Sequence, residues 1–127
     1  MSYAPYNVTV VQGDGESRRF VWDIAGTPVN IATWTIFTTV KKNPHHADSR
    51  AFISYDSDND TTAIVKSDSA SNGFDDQFHI NYLAADSDIP EGEYITDIKI
   101  IIGSNDPWTA FIGVYTAKEH ATDRVTT

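Results

Sequence analysis

Asp23-Ile24-Ala25-Gly26-Thr27-Pro28-Val29-Asn30-Ile31 and Gly92-Glu93-Tyr94-Ile95-Thr96-Asp97-Ile98 are the two stretches whose reading decides the fold. Each sets turn residues directly against alternating apolar residues. Glycine reaches backbone angles closed to other residues, and proline fixes its own φ, so Gly26, Pro28 and Gly92 bend the chain. The alternation beside them places every second side chain on one face of an extended strand. Both stretches therefore read as strand boundaries, and a chain punctuated in this way is all-β.

Outward from these stretches, the same period of two recurs along the chain. Phe20, Trp22 and Ile24 alternate with Arg19, Val21 and Asp23. Trp34, Ile36, Thr38 and Val40 form one face of a segment dense in β-branched residues. Phe78, Ile80 and Tyr82 form another face, as do Tyr94, Thr96, Ile98, Ile100 and Ile102. Trp108, Ala110, Ile112 and Val114 are expected to form one face of the last strand. Further strands are expected over residues 7–12, 51–55 and 62–66, which brings the count to about eight. Gly, Pro, Asn, Asp and Ser cluster between them, and only Ala84 to Asp88, closed by Pro90, hints at a helical turn. Short strands at this spacing predict a single antiparallel β-sandwich of two packed sheets.

The 127 residues, 40% hydrophobic and 12% aromatic, suit one domain spanning 1–127, with a core over about 6–118 and short terminal extensions. The absence of cysteine excludes disulfides, thiolate metal sites and cysteine nucleophiles. Eighteen acidic against nine basic residues leave a net charge of −9, which repels phosphate backbones and anionic membranes. Neither nucleic acid nor membrane is expected as a partner, and Arg18-Arg19 and Lys41-Lys42 are the only basic doublets. The opening Met-Ser-Tyr-Ala-Pro-Tyr-Asn has neither the charged nor the apolar region of a signal peptide, so synthesis in a cytoplasm without export is expected.

In order along the chain, several segments resemble the immunoglobulin-like N-terminal domain of phage baseplate upper proteins and related small tailed-phage virion proteins. They are an opening strand into Gly13-Asp14, the strand with Phe20 and Trp22, and the turn through Asp23, Gly26 and Pro28-Val29-Asn30-Ile31. Trp34-Thr35-Ile36-Phe37 leading to Lys41-Lys42 follows, then Gly92-x-Tyr94-x-x-Asp97-Ile98, then Trp108-Thr109 to Val114. The turn after Ile24 is shorter than the acidic turn of that family. The resemblance implies an immunoglobulin-like sandwich of a phage or prophage virion, in the tail, baseplate or capsid decoration. It would act by docking onto other virion proteins, with self-association into a symmetric oligomer as a further expectation. Members carry a receptor-binding region after this domain, and none follows residue 118 here, which favours a stand-alone subunit.

No catalytic pattern is present: there is no G-x-S-x-G elbow, and Gly13-Asp14-Gly15 lacks the Lys-Ser/Thr of a phosphate loop. The chain is read as a non-enzyme without a cofactor. Asp56, Asp58 and Asp60 alternate as at the start of a calcium loop, but Thr61 and Ser67 stand where an EF-hand needs Gly and Glu. A solvated hairpin tip is the better reading of that run. His45, His46, His79 and His120 lack ligand spacing. For partner contact the freest aromatics are Tyr3, Tyr6 and Trp108, joined by the 13–15 and 67–76 loops. The same aromatics leave a second reading open, a carbohydrate-binding or adhesin-type sandwich module.

Overall fold

The computed structural model describes residues 4–43, 45–69 and 71–119, and turn chemistry and β-branched runs divide these described residues into eleven strands. They are β1 (Ala4–Pro5), β2 (Val8–Val11), β3 (Glu16–Val21), β4 (Asp23–Ile24), β5 (Thr27–Pro28), β6 (Trp34–Lys41), β7 (Ile53–Asp56), β8 (Ile64–Ser67), β9 (Gln77–Tyr82), β10 (Gly92–Ile102) and β11 (Trp108–Lys118). Three of these have two residues, which leaves eight of ordinary length, the number expected. The one helical element among the described residues is the three-residue 3₁₀ turn Asp48–Arg50, and residues 84–87 form a turn.

Two sheets face each other. The larger runs β1-β11-β10-β6-β7, with β2 also paired to β11, and the smaller runs β3-β9-β8. This order, β11-β10-β6-β7 against β3-β9-β8, is the G-F-C-C′ and B-E-D arrangement of an immunoglobulin-type sandwich. A second hallmark lies in one of the deciding stretches. Tyr94, near the start of β10, donates its hydroxyl to the carbonyl of Pro90 four residues upstream at 2.5 Å, the geometry of a tyrosine corner. The other deciding stretch becomes the β4–β5 hairpin. Its two loop residues, Ala25 and Gly26, both have positive φ (51° and 85°), as the turn that matches strand twist requires.

The core forms where the two sheets meet. Along β6 the burial alternates strictly, with Trp34, Ile36, Thr38 and Val40 inside. Phe78, Ile80 and Tyr82 from β9, and Tyr94, Thr96, Ile98 and Ile100 from β10, close on them. Aromatic rings fill one end: Phe20 stacks on Phe78 at 4.8 Å, and Trp22 meets Trp34 at 5.3 Å and Trp108 at 5.7 Å edge to face. Such pairs add about 0.5–1.5 kcal/mol each beyond their burial.

Three expectations are corrected. The face Trp108-Ala110-Ile112-Val114 is broken by a β-bulge, because Ile98 pairs with Phe111 whereas Lys99 pairs with Thr109. The extra residue shifts the alternation, so Phe111, Gly113, Tyr115 and Ala117 share the inner side with Trp108, while Ile112 and Val114 turn outward. Ile24 does not continue the Phe20–Trp22 face and is 68% exposed, because the hairpin carries it off the sandwich. Ile102 ends its strand 39% exposed, beyond the reach of the smaller sheet.

Candidate docking surface

Tyr3 lies outside the described residues, and Tyr6 is not a surface residue. The ring of Tyr6 is 7% exposed, packs edge to face on Phe20 at 5.4 Å, and shares a 2.6 Å hydrogen bond with the hydroxyl of Tyr82. The cause lies in β11. Gly113 has no side chain, and a Cβ there would stand 1.7 Å from the carbonyl oxygen of Tyr6. The edge formed by β1 and β2 therefore presses onto β11 at this point and turns Tyr6 inward. Trp108 is half-buried, with its ring against Trp22 and its indole nitrogen buried without an acceptor. The Tyr6 ring is therefore not free to cover a partner's side chain, and Trp108 keeps only part of its surface open.

The acidic run is occupied by its own loop. The Asp56 carboxylate accepts from the amides of Asp58 at 2.9 Å and Asn59 at 2.8 Å, and Asp60 accepts from the amide of Asp56. The side chain of Asn59, first, and these amides hold the Asp56 carboxyl below its usual range. Asp56 and Asp60 thus shape the loop that carries the chain from β7 in the larger sheet to β8 in the smaller, not the hairpin tip expected. The Asp58 carboxylate accepts from the Thr35 hydroxyl at 3.4 Å, and no metal-type cluster of His, Asp or Glu exists among the described residues. The two loops proposed for contact are likewise held by hydrogen bonds within the molecule. In the 67–76 loop, Asp68 accepts from the amides of Asn72 and Gly73, and Asp76, 1% exposed, accepts from the amide and hydroxyl of Ser69. In the 13–15 loop, the Asp14 carbonyl accepts from the Ser87 hydroxyl.

Apart from the exposed Phe52, Val65 and Leu83, apolar side chains at the surface gather in two places. The first is the outer face of the larger sheet. Phe37, Ile95, Ile101, Ile112 and Val114 are half-buried there, on the side away from the core. Phe37, Thr39, Asp97, Lys99, Ile101 and Pro107 line a shallow depression of about 230 Å³ in it. The second is the end of β3 and its hairpin, where Val21 is 46% and Ile24 68% exposed. Beside them Arg19, Phe20, Val21, Trp22, Asp23 and Phe111 line a groove of about 400 Å³.

Sequence reasoning passed over both. Ile24 looked like core because it continued a period of two, and Ile112 and Val114 because the bulge is silent in the sequence. One signal was available: Val21 is an apolar residue on the face it shares with Ser17 and Arg19, both polar. No family model matches the chain, and no curated protein matches it.

Proposed function

We propose that the chain is a non-catalytic structural subunit of a phage or prophage virion, in the tail, baseplate or capsid decoration, acting by docking onto other virion proteins. The observation that carries this reading is the outer face of the larger sheet. A sandwich needs only one face of each sheet for its core, and the opposite face ordinarily carries polar residues. Here Phe37, Ile95, Ile101, Ile112 and Val114 stand together on that face, with Lys99 and Asp97 among them. Apolar surface flanked by opposite charges fits a protein partner.

The glycan reading finds less. It drew on loop aromatics, and of its three rings Tyr6 packs inside the aromatic cluster and Trp108 is half-buried against it. Stacking on a sugar requires an open ring face.

Mass spectrometry and immuno-electron microscopy of purified particles from the source phage or induced prophage test the proposal. A fixed location and stoichiometric copy number are expected. Complete particles that lack the chain would overturn it.

A further inference from the structure

β3 is an edge strand of the smaller sheet, and its ladder shows which of its backbone groups are unused. In an antiparallel pair the N–H and C=O of one residue point the same way, and the direction alternates along the strand. The Trp22 N–H donates to the Asp76 carbonyl, directly opposite in the register, at 2.8 Å. Glu16, Arg18 and Phe20 therefore bond to β9, and Ser17, Arg19 and Val21 turn their backbone groups away from it. No strand lies on that side among the described residues.

The edge is closed at one end only. The Ser17 amide donates to Glu16 Oε1 and its carbonyl accepts from Arg18 Nη1, both at 3.2 Å, and these two side chains pair at 3.1 Å. Arg19 and Val21 have no such cover, and the Arg19 guanidinium has no ion-pair partner among the described residues. A chain lying along this edge would have the groove of Phe20, Trp22 and Phe111 on its inner side and Arg19 on its outer side.

We propose that the free edge of β3 takes a strand from another protein, an extended segment that alternates apolar and acidic residues. The inference rests on the docking reading above and adds the site and the chemistry of the partner. Hydrogen bonds to the main chain of Arg19 and Val21 add the strand to the sheet, as in other cases of β-augmentation. Its apolar side chains enter the groove, and its acidic side chains face Arg19. A second copy of β3 is the poorer occupant, because it brings two Arg18-Arg19 doublets onto one short ladder, where like charges destabilise.

Decapeptides of alternating Val–Glu, Val–Gln and Val–Lys, titrated into the isotope-labelled full chain and followed by amide NMR, test this. The Val–Glu peptide should shift the Arg19 and Val21 amides and slow their hydrogen exchange. Val–Gln should bind several-fold more weakly and Val–Lys not at all. Val21→Pro removes a donor from the free side only, so the β3–β9 ladder should persist while binding is lost. Arg19→Glu should reverse the preference toward Val–Lys, and it keeps the proposal testable if the proline variant does not fold. Equal binding of all three peptides, shifts centred on the outer face of the larger sheet, or protection of Arg19 and Val21 by self-association would each overturn it. These titrations use the isolated protein, so their failure leaves incorporation into particles standing. Absence from particles, in turn, leaves the peptide result standing.

Discussion

Tyr94 and Tyr115 face each other across the β10–β11 ladder with ring centres 6.2 Å apart, and their hydroxyls are treated differently. The Tyr94 hydroxyl donates to Pro90, whereas the Tyr115 hydroxyl is buried with no partner. An unpaired buried donor carries a desolvation penalty, and a made bond offsets it. Tyr94→Phe should therefore lower stability by about 1 kcal/mol in urea unfolding, while Tyr115→Phe should leave it unchanged or raise it. Ala25 offers the opposite opportunity. It holds φ at 51° in a turn position that favours Asn or Gly, and the left-handed conformation costs an L-residue about 1–2 kcal/mol. Ala25→Asn is expected to raise the unfolding midpoint, by up to about 1 kcal/mol of stability. A lower midpoint would show that the hairpin does not need this geometry.

At the scale of elements, the β1–β2 edge depends on one position of β11. The Tyr6 amide donates to the Ile112 carbonyl at 3.1 Å, the Asn7 side chain accepts from the Val114 amide at 3.0 Å, and Gly113 lies between. A methyl group at 113 must push Tyr6 outward, and Tyr6 takes with it the hydrogen bond to Tyr82 that ties this edge to the smaller sheet. Gly113→Ala should cost about 1–3 kcal/mol, as overpacking does. Amide exchange should accelerate in β1 and β2 while the β10–β6 ladder stays protected. Uniform acceleration would mean that the edge unfolds only with the whole.

At the scale of the whole molecule, the tyrosines couple packing to pH. Burial pushes Tyr6 and Tyr115 up to about 12 and raises Tyr82 and Tyr55 as well; for Tyr6, the bond to Tyr82 offsets part of the effect. An exposed tyrosine titrates near about 10, so the folded state holds these protons more tightly than the unfolded chain. The stability they contribute is complete below pH about 10 and is lost as pH rises toward about 12. Phenolate absorbance should lag for these side chains and then appear together with loss of structure. A gradual titration with structure retained would contradict the burial. Particle incorporation belongs to the same scale. Phe37→Ser and Ile101→Ser on the outer face should reduce copy number in virions with little change in unfolding midpoint. Normal incorporation of the double variant would exclude that face.

Legibility follows the range of the interactions. The all-β class, the eight strands of ordinary length and the inward faces of β6, β9 and β10 were set by the sequence itself, because strand alternation and turn residues act over a few neighbours. Gly26 and Pro28 marked the hairpin, and Gly92 the start of β10, for the same local reason. The inward turn of Tyr6 and the shifted face of β11 were decided only in the tertiary structure. Tyr6 goes inside because Gly113, more than a hundred residues away, leaves room for the backbone. The β11 face shifts because a bulge is defined by the partner strand, and no residue type announces it. The open edge of β3 is of the same kind. Whether a strand has a neighbour depends on how both sheets are assembled, and the six residues of β3 carry no record of it.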